Sequence, residues 1–349
     1  MTRKVRIGIT RDMFDKEGVF FTPGPGLKLL DEMPNVEWKM FPSFQPVITA
    51  EQVKDFDIVI SLRPKWTKQG LMDSDHFVAV LRSGVGFDDV NVQEMTDLGI
   101  IVCNTPISVR RPMATAIICY ILMLSLNMMD KIKLTQENRW ADRADLMGVG
   151  LVGKTLGSVG VGGIGHEMFK LAKQFDMKHI AYDPYLTQDK VNDVNVKLVD
   201  LDTVLKESDF LNLSFPLNDE TFHFIGEKEL RKMKKSACLI NTSRGPCVDE
   251  LALIKALQEG WIKGAAIDVF EEEPTYPENP LLKMDNVITT GHCVGWTDQV
   301  WSAKWDENIE QIEHIMRGEI PNALVNEEVW ESTRCQARMA SFLKETMQL

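Results

Sequence analysis

Residues 155–183, TLGSVGVGGIGHEMFKLAKQFDMKHIAYD, narrow the choice of folds more than any other part of the chain. Residues 156–161 form a short apolar run, Gly160, Gly162 and Gly165 complete G-x-G-x-x-G, and residues 166–175 place apolar side chains at helical spacing. The order is strand, glycine turn, helix. Gly160 permits a tight turn, Gly162 lets backbone N–H groups approach a pyrophosphate, and Gly165 allows the helix to pack closely on the sheet. The phosphates then meet the positive end of the helix. Residues 179–182 read as the next strand, and Asp183 ends it, roughly twenty residues past the last glycine, where an acid binds ribose hydroxyls. A carboxylate there repels a 2′-phosphate, and Pro184, Tyr185 and Leu186 bring no arginine to welcome one. NAD is therefore expected as the cofactor rather than NADP.

A chain of 349 residues is expected to divide into two domains. Its net charge of −12 argues against nucleic acid as a partner, because phosphate backbones need a basic surface. No apolar run reaches the ~18 residues of a membrane span; the nearest, 114–126, is interrupted by Thr115, Cys119, Tyr120 and Ser125. The opening MTRKVRIGIT enters a strand pattern without an apolar signal core. Cys103, Cys119, Cys238, Cys247, Cys293 and Cys335 are scattered with no C-x-x-C, the usage of free thiols in a reducing cytoplasm. Neither a metal nor a membrane partner is expected.

Strand signals recur at 4–10, 36–41, 58–62, 77–81 and 100–103, an α/β unit in its own right. Thr22-Pro23-Gly24-Pro25-Gly26 reads as a surface loop. The pattern predicts one long helix over 112–138, with Pro112 in its first turn. Beyond the glycine turn, short strands are expected at 197–199, 210–213, 238–241, 265–269 and 287–290, separated by helix-length segments, which means a parallel sheet covered on both faces. A helix over 297–317 leads back toward the first unit, and the tail places Cys335, Met339, Phe342 and Leu343 on one packing face.

With NAD implied, the chemistry is hydride transfer, which needs one group to move a proton and another to hold the substrate's polar end. Three consecutive late strands end in Arg244, in the acids 271–273 after Asp268, and in His292. A guanidinium grips a carboxylate or keto oxygen, and a histidine titrates near neutrality; a neighbouring glutamate raises its pKa and fixes its tautomer. Of the six histidines, only His292 occupies such a strand end. Earlier in the chain, Arg63 to Trp66 and the stretch 82–88, RSGVGFD, follow strands, where ligands of open α/β sheets collect. Backbone N–H groups around Gly84 and Gly86 suit a carboxylate. From pattern alone, Arg244 and His292 stay open between catalytic and structural roles.

These segments resemble the family of D-isomer-specific 2-hydroxyacid dehydrogenases, with several motifs in order over about residues 78–326. The resemblance implies that Arg244 of TSRGP grips the substrate, that Glu273 of DVFEEEP pairs with the histidine, and that His292 of TGHCVGWT is the general acid/base. It places Asp268 near the nicotinamide, and Ser83, Gly84, Val85 and Gly86 at the substrate carboxylate. Cofactor contacts are implied for Gly160, Gly162, Gly163, Ile164, Gly165, Asp183, Pro216, Thr221, Thr242, His292 and Gly295, and further substrate contacts for Arg63 and Trp296.

The implied fold class is α/β: a Rossmann NAD-binding domain, 110–296, inserted into a flavodoxin-like substrate domain, 1–109 and 297–349, with a cleft between them and usually as a homodimer. The implied reaction interconverts a 2-oxo acid and a D-2-hydroxy acid. Some relatives are instead NAD(H)-sensing co-repressors, which is the alternative reading. The formate branch carries Gln in place of the paired Glu and a Gln-Pro-His segment, and Glu273 and Gly291 speak against it. The chain departs from the family pattern at Gly291, where proline is usual, at Thr115, where an acid is usual, and at Ser214 and Phe215, where a histidine commonly precedes Pro216. For the substrate's far end, Arg63, Lys65, Arg110 and Arg111 suit a second anionic group, whereas Trp66 and Trp296 suit an apolar one.

Overall fold

The computed structural model describes residues 2–20, 24–71 and 74–347, so Thr22 and Pro23 of the expected surface loop lie outside the described residues. The chain folds as two units, Met1–Val109 with Trp296–Leu349, and Arg110–Gly295.

In the first unit, the apolar runs become β1 (Val5–Ile9), β2 (Val36–Met40), β3 (Ile58–Ser61), β4 (Ala79–Arg82) and β5 (Ile101–Asn104). They form a parallel sheet in the order β2-β1-β3-β4-β5, the flavodoxin-like arrangement. Burial follows position: β3 is buried at every residue, while edge strand β2 exposes Glu37 and Lys39. The tail helix Thr333–Thr346 buries Cys335, Met339 and Phe342 on one face, and Arg338 donates to the carbonyls of Ser74, Phe77 and Leu98. The helix Asp298–Arg317 buries Trp301, Trp305, Ile312 and Ile315, but also Lys304, Asn308 and Gln311. Lys304 Nζ lies 4.2 Å from the Trp301 ring centre, and burial, with Arg82 nearby, pushes its ammonium down to about 7.

The second unit is a seven-stranded parallel sheet of β6 (Thr155–Val159), β7 (Lys178–Tyr182), β8 (Lys197–Leu198), β9 (Phe210–Leu213), β10 (Cys238–Asn241), β11 (Gly264–Ile267) and β12 (Val287–Thr289). Its order, β12-β11-β10-β9-β6-β7-β8, is the Rossmann order with one strand added at the β12 edge. Alternate residues of a strand serve opposite cores. Leu239 packs with Val159, Leu211 and Leu253 on one face, and Cys238 and Ile240 pack with Leu156, Met168 and Phe169 on the other. A sheet covered on both faces reads as continuous apolar runs, which is why these short strands were visible in the sequence.

The expected single helix over 112–138 is two helices, Arg110–Ser125 and Met128–Gln136, bent by 61°. Asn127 breaks it by adopting left-handed backbone, φ 48°, a conformation asparagine tolerates better than most residues. The break is held from elsewhere in the unit: Asn127 Nδ2 donates to the Met147 carbonyl, and Val149 N donates to the Ser125 carbonyl. Among the described residues, no single helix is long and apolar enough to cross a membrane.

Candidate active site

The glycine turn joins β6 to the helix Gly163–Ala172. Gly160 has φ 83°, and a Cβ there would stand 2.3 Å from the Ser214 carbonyl oxygen, so both backbone and space demand glycine. Gly162 is the N-cap, which leaves the first-turn N–H groups of Gly163, Ile164 and Gly165 without intrahelical partners. Asp183, just past β7, is tied to the same turn: its Oδ2 accepts from Val161 N at 2.9 Å and its Oδ1 from Tyr185 N at 3.0 Å. Each oxygen keeps a lone pair for a ribose hydroxyl. A turn open to backbone approach, unpaired N–H groups at a helix N-terminus and an acid at the next strand end fit a dinucleotide.

The chemistry-bearing residues of this unit follow neighbouring strands. Arg244 lies three residues past β10, with Asn241 Nδ2 donating to its carbonyl at 2.9 Å and its Nη1 donating to the Ser243 carbonyl at 2.8 Å. Gly245 brings this turn onto the segment after β11: a Cβ would stand 1.9 Å from the Phe270 carbonyl oxygen. Glu273 accepts from Phe270 N through Oε1 at 3.0 Å and meets His292 Nδ1 through Oε2 at 2.7 Å. Burial alone would push the Glu273 carboxyl up, but the His292 bond and charge, the Phe270 N–H and the field of Arg244 outweigh it and hold it below the usual glutamate range. Arg244, Glu273 and His292 thus lie after β10, β11 and β12, three adjacent strands.

His292 itself has φ 56°, unusual for a residue with a side chain, and its N–H donates to the Asp268 carbonyl at 2.7 Å. Beneath it, Asp268 Oδ1 accepts from Thr290 Oγ1 at 2.5 Å and from Cys293 N and Val294 N at 3.0 and 3.1 Å. Tyr120 extends this network to 170 residues' separation, its hydroxyl 2.5 Å from Thr290 Oγ1. Burial raises the Asp268 carboxyl above its ordinary range despite these donors, and burial raises the Tyr120 phenol. The Tyr120–Thr290 link escaped sequence reasoning; the only local signal was a tyrosine on the buried face of an apolar helix.

The remaining cofactor candidates take ordinary places in the same unit. Thr221 Oγ1 donates to the Pro216 carbonyl at 2.7 Å in the loop after β9, Thr242 directly follows β10, and Gly295 packs on Met113. In the first unit, residues 83–86 follow β4. Ser83 N donates to Ser61 O, Ser83 Oγ accepts from Asn308 Nδ2, and the Gly84 carbonyl accepts from Thr105 N. Among the described residues, no group accepts from the N–H of Val85 or Gly86. Arg63 is 3.4 Å from Asp12 with most of its side chain exposed, and Trp296 meets Trp301 edge-on at 5.1 Å. Arg111, a candidate for substrate charge, is instead paired with Glu167 at 2.7 Å. Among the described residues, no cluster of three His, Cys, Asp or Glu is placed to hold a metal ion.

The NAD-binding domain of the D-isomer specific 2-hydroxyacid dehydrogenases matches residues 118–294. The chain belongs to this family. It is similar to a glyoxylate reductase of Korarchaeum cryptofilum, 36% identical over 93% of this chain and 97% of that protein. It is also similar to a D-3-phosphoglycerate dehydrogenase of Methanocaldococcus jannaschii, 37% identical over 86% of this chain and 57% of that protein. The crystal structure of a D-lactate dehydrogenase from Aquifex aeolicus, complexed with NAD and lactic acid, superposes with a TM-score of 0.80, covering 92% of this chain and 99% of that one at 25% identity. This D-2-hydroxyacid dehydrogenase is an NAD-dependent oxidoreductase that interconverts 2-oxo and 2-hydroxy acids.

Proposed function

We propose that the enzyme reduces a small 2-oxo acid to its D-2-hydroxy acid, and that His292, oriented by Glu273, moves the proton. The observation that carries this reading is the 2.7 Å contact between His292 Nδ1 and Glu273 Oε2 beside Arg244 on three adjacent strand ends. With Nδ1 committed to the carboxylate, Nε2 is the nitrogen that donates to the carbonyl oxygen as it becomes an alkoxide, and that accepts the proton in oxidation. Glu273 faces the positive charge of the protonated ring and fixes its orientation. Arg244 takes the substrate's oxygens, where a planar guanidinium suits a carboxylate or keto group. Backbone N–H groups of Val85 and Gly86 are assigned the substrate carboxylate, with Ser83 and Gly84 shaping the loop, and Asp268 the nicotinamide end. NAD, held at residues 160–165 and Asp183, supplies or receives the hydride.

Residues 110–296 serve as the nucleotide domain, and 1–109 with 297–349 as the substrate domain. The similarity to glyoxylate reductases favours glyoxylate among substrates. NADH oxidation across glyoxylate, hydroxypyruvate, pyruvate, oxaloacetate and phenylpyruvate tests this, with fastest turnover expected for glyoxylate. A protein that binds NADH tightly and consumes none of them would overturn the reductase reading in favour of an NAD(H)-sensing role. A homodimer is proposed because Met129, Ile132, Trp140, Met147, Val149 and Val152 expose apolar surface within one short stretch. A cytoplasmic location agrees with six cysteines that are all free thiols.

Asp183 sets the cofactor preference in this reading. Asp183→Ser removes a charged acceptor for the ribose hydroxyls and the repulsion of a 2′-phosphate. It is expected to lower kcat/KM for NADH by about 10-fold or more and to raise kcat/KM for NADPH. Steady-state kinetics with each cofactor checks this; an unchanged NADH-to-NADPH ratio would leave Asp183 as a turn-holding residue only.

A further inference from the structure

Arg110 is the first residue of the helix Arg110–Ser125, and its side chain reaches across to the glycine turn of the same unit. A Cβ built on Gly163 would stand 2.7 Å from Arg110 Nε, 3.1 Å from its Cδ and 3.2 Å from its Cζ. The guanidinium therefore occupies the space that a side chain at position 163 would fill. Gly163 has no backbone need to be glycine, since it opens a regular helix and is not among the residues with positive φ. A side chain at position 163 would have to displace that of Arg110, so glycine here leaves room for it.

The place so filled is the N-terminus of the ten-residue helix Gly163–Ala172, where unpaired N–H groups and the helix dipole already present positive charge. Two sources of positive potential, one from the backbone and one from a side chain of a different helix, converge on one spot.

We infer that Arg110 is a ligand of the cofactor's diphosphate, pairing with the oxygens that face the N–H groups of Gly163 and Ile164, and that position 163 is glycine to admit it. The inference rests on the NAD reading of the glycine turn and adds to it a side chain that holds the nucleoside diphosphate as such. Guanidinium–phosphate pairs form two parallel hydrogen bonds, so the contact adds orientation as well as attraction.

The test is calorimetric or fluorescence titration of NADH, ADP and adenosine into the wild-type protein, R110M, R110K and G163A. Arg110→Met is expected to weaken NADH and ADP about 10-fold or more, to leave adenosine at its wild-type Kd, and to flatten the salt dependence of ADP binding. Arg110→Lys should recover part of the loss, since it keeps the charge without the planar fork. Gly163→Ala should weaken ADP by displacing Arg110, and should cost nothing further when combined with R110M. Wild-type ADP affinity in R110M would overturn the proposal, as would equal losses for ADP and adenosine, which mean that Arg110 only shapes the fold. A wild-type protein that binds neither NADH nor ADP would contradict the nucleotide reading itself.

Discussion

His292→Ala is expected to lower kcat by about 10²–10⁴-fold while NADH still binds with near wild-type Kd. The size follows from what is removed. Nδ1 is held 2.7 Å from Glu273 Oε2, so the ring is fixed in one orientation, with Nε2 left as the group that exchanges a proton with the substrate. The other histidines nearby are held by other acids, His223 by Glu271 and His166 by Asp193. Glu273→Gln should cost less, because the ring keeps a hydrogen-bonding neighbour but loses the facing charge. The pH profile carries a sign as well. Burial would raise the Glu273 carboxyl, but His292, the Phe270 N–H and Arg244 together hold it below its usual value. The Glu273 carboxylate's contribution is therefore fully present above the ordinary glutamate range of about 4.3 and is lost as pH falls through the lower folded value. Steady-state kinetics at saturating NADH measure the effect; wild-type kcat in H292A would remove the assignment.

Asp57→Ala should be the most destabilising simple truncation in the first unit, costing about 3–5 kcal/mol. The Asp57 side chain is fully buried and binds two arginines that are largely covered, Arg3 and Arg6. Its Oδ2 accepts from Arg3 Nη1 at 2.7 Å and from Arg6 N at 2.8 Å, and its Oδ1 accepts from Arg3 Nη2 and Arg6 Nη2, both at 2.9 Å. Truncation leaves two guanidinium groups facing each other and a backbone N–H without its acceptor. The same residue joins three strands, since Asp57 N donates to Arg6 O and Asp57 O accepts from Val78 N. Burial pushes its carboxyl up, but the arginine donors more than offset this and hold it below the usual aspartate range. Its contribution is thus fully present above about pH 3.9 and is lost as pH falls through the folded value. Unfolding midpoints of wild-type and D57A protein should differ by several degrees at neutral pH and converge in acid. Equal midpoints at pH 7 would contradict this account.

The parts of this molecule legible in the sequence are those whose physics is local. Strands buried on both faces announce themselves as apolar runs, as in residues 58–61 and 238–241. The glycine turn has a spacing set by backbone geometry, and residues directly after strands reach the functional edge whatever the loops do. What escaped depends on partners far along the chain. The break at Asn127 needs the carbonyl of Met147; the network under His292 needs Tyr120 to meet Thr290; Lys304 occupies a position that helical periodicity assigns to an apolar residue. Arg110 reads as a charge for the substrate's far end until its side chain is seen beside Gly163 of the glycine turn. The co-repressor-like alternative is not favoured, because the relatives at full length are reductases and dehydrogenases.

The central claim, a His292-assisted reduction of a 2-oxo acid to one enantiomer, is tested most directly by chiral analysis of the product formed from NADH and hydroxypyruvate or pyruvate, whichever turns over faster. The account predicts the D-2-hydroxy acid alone, in amounts equal to the NADH consumed. The L enantiomer, a racemate, or NADH consumption without a 2-hydroxy acid would contradict it.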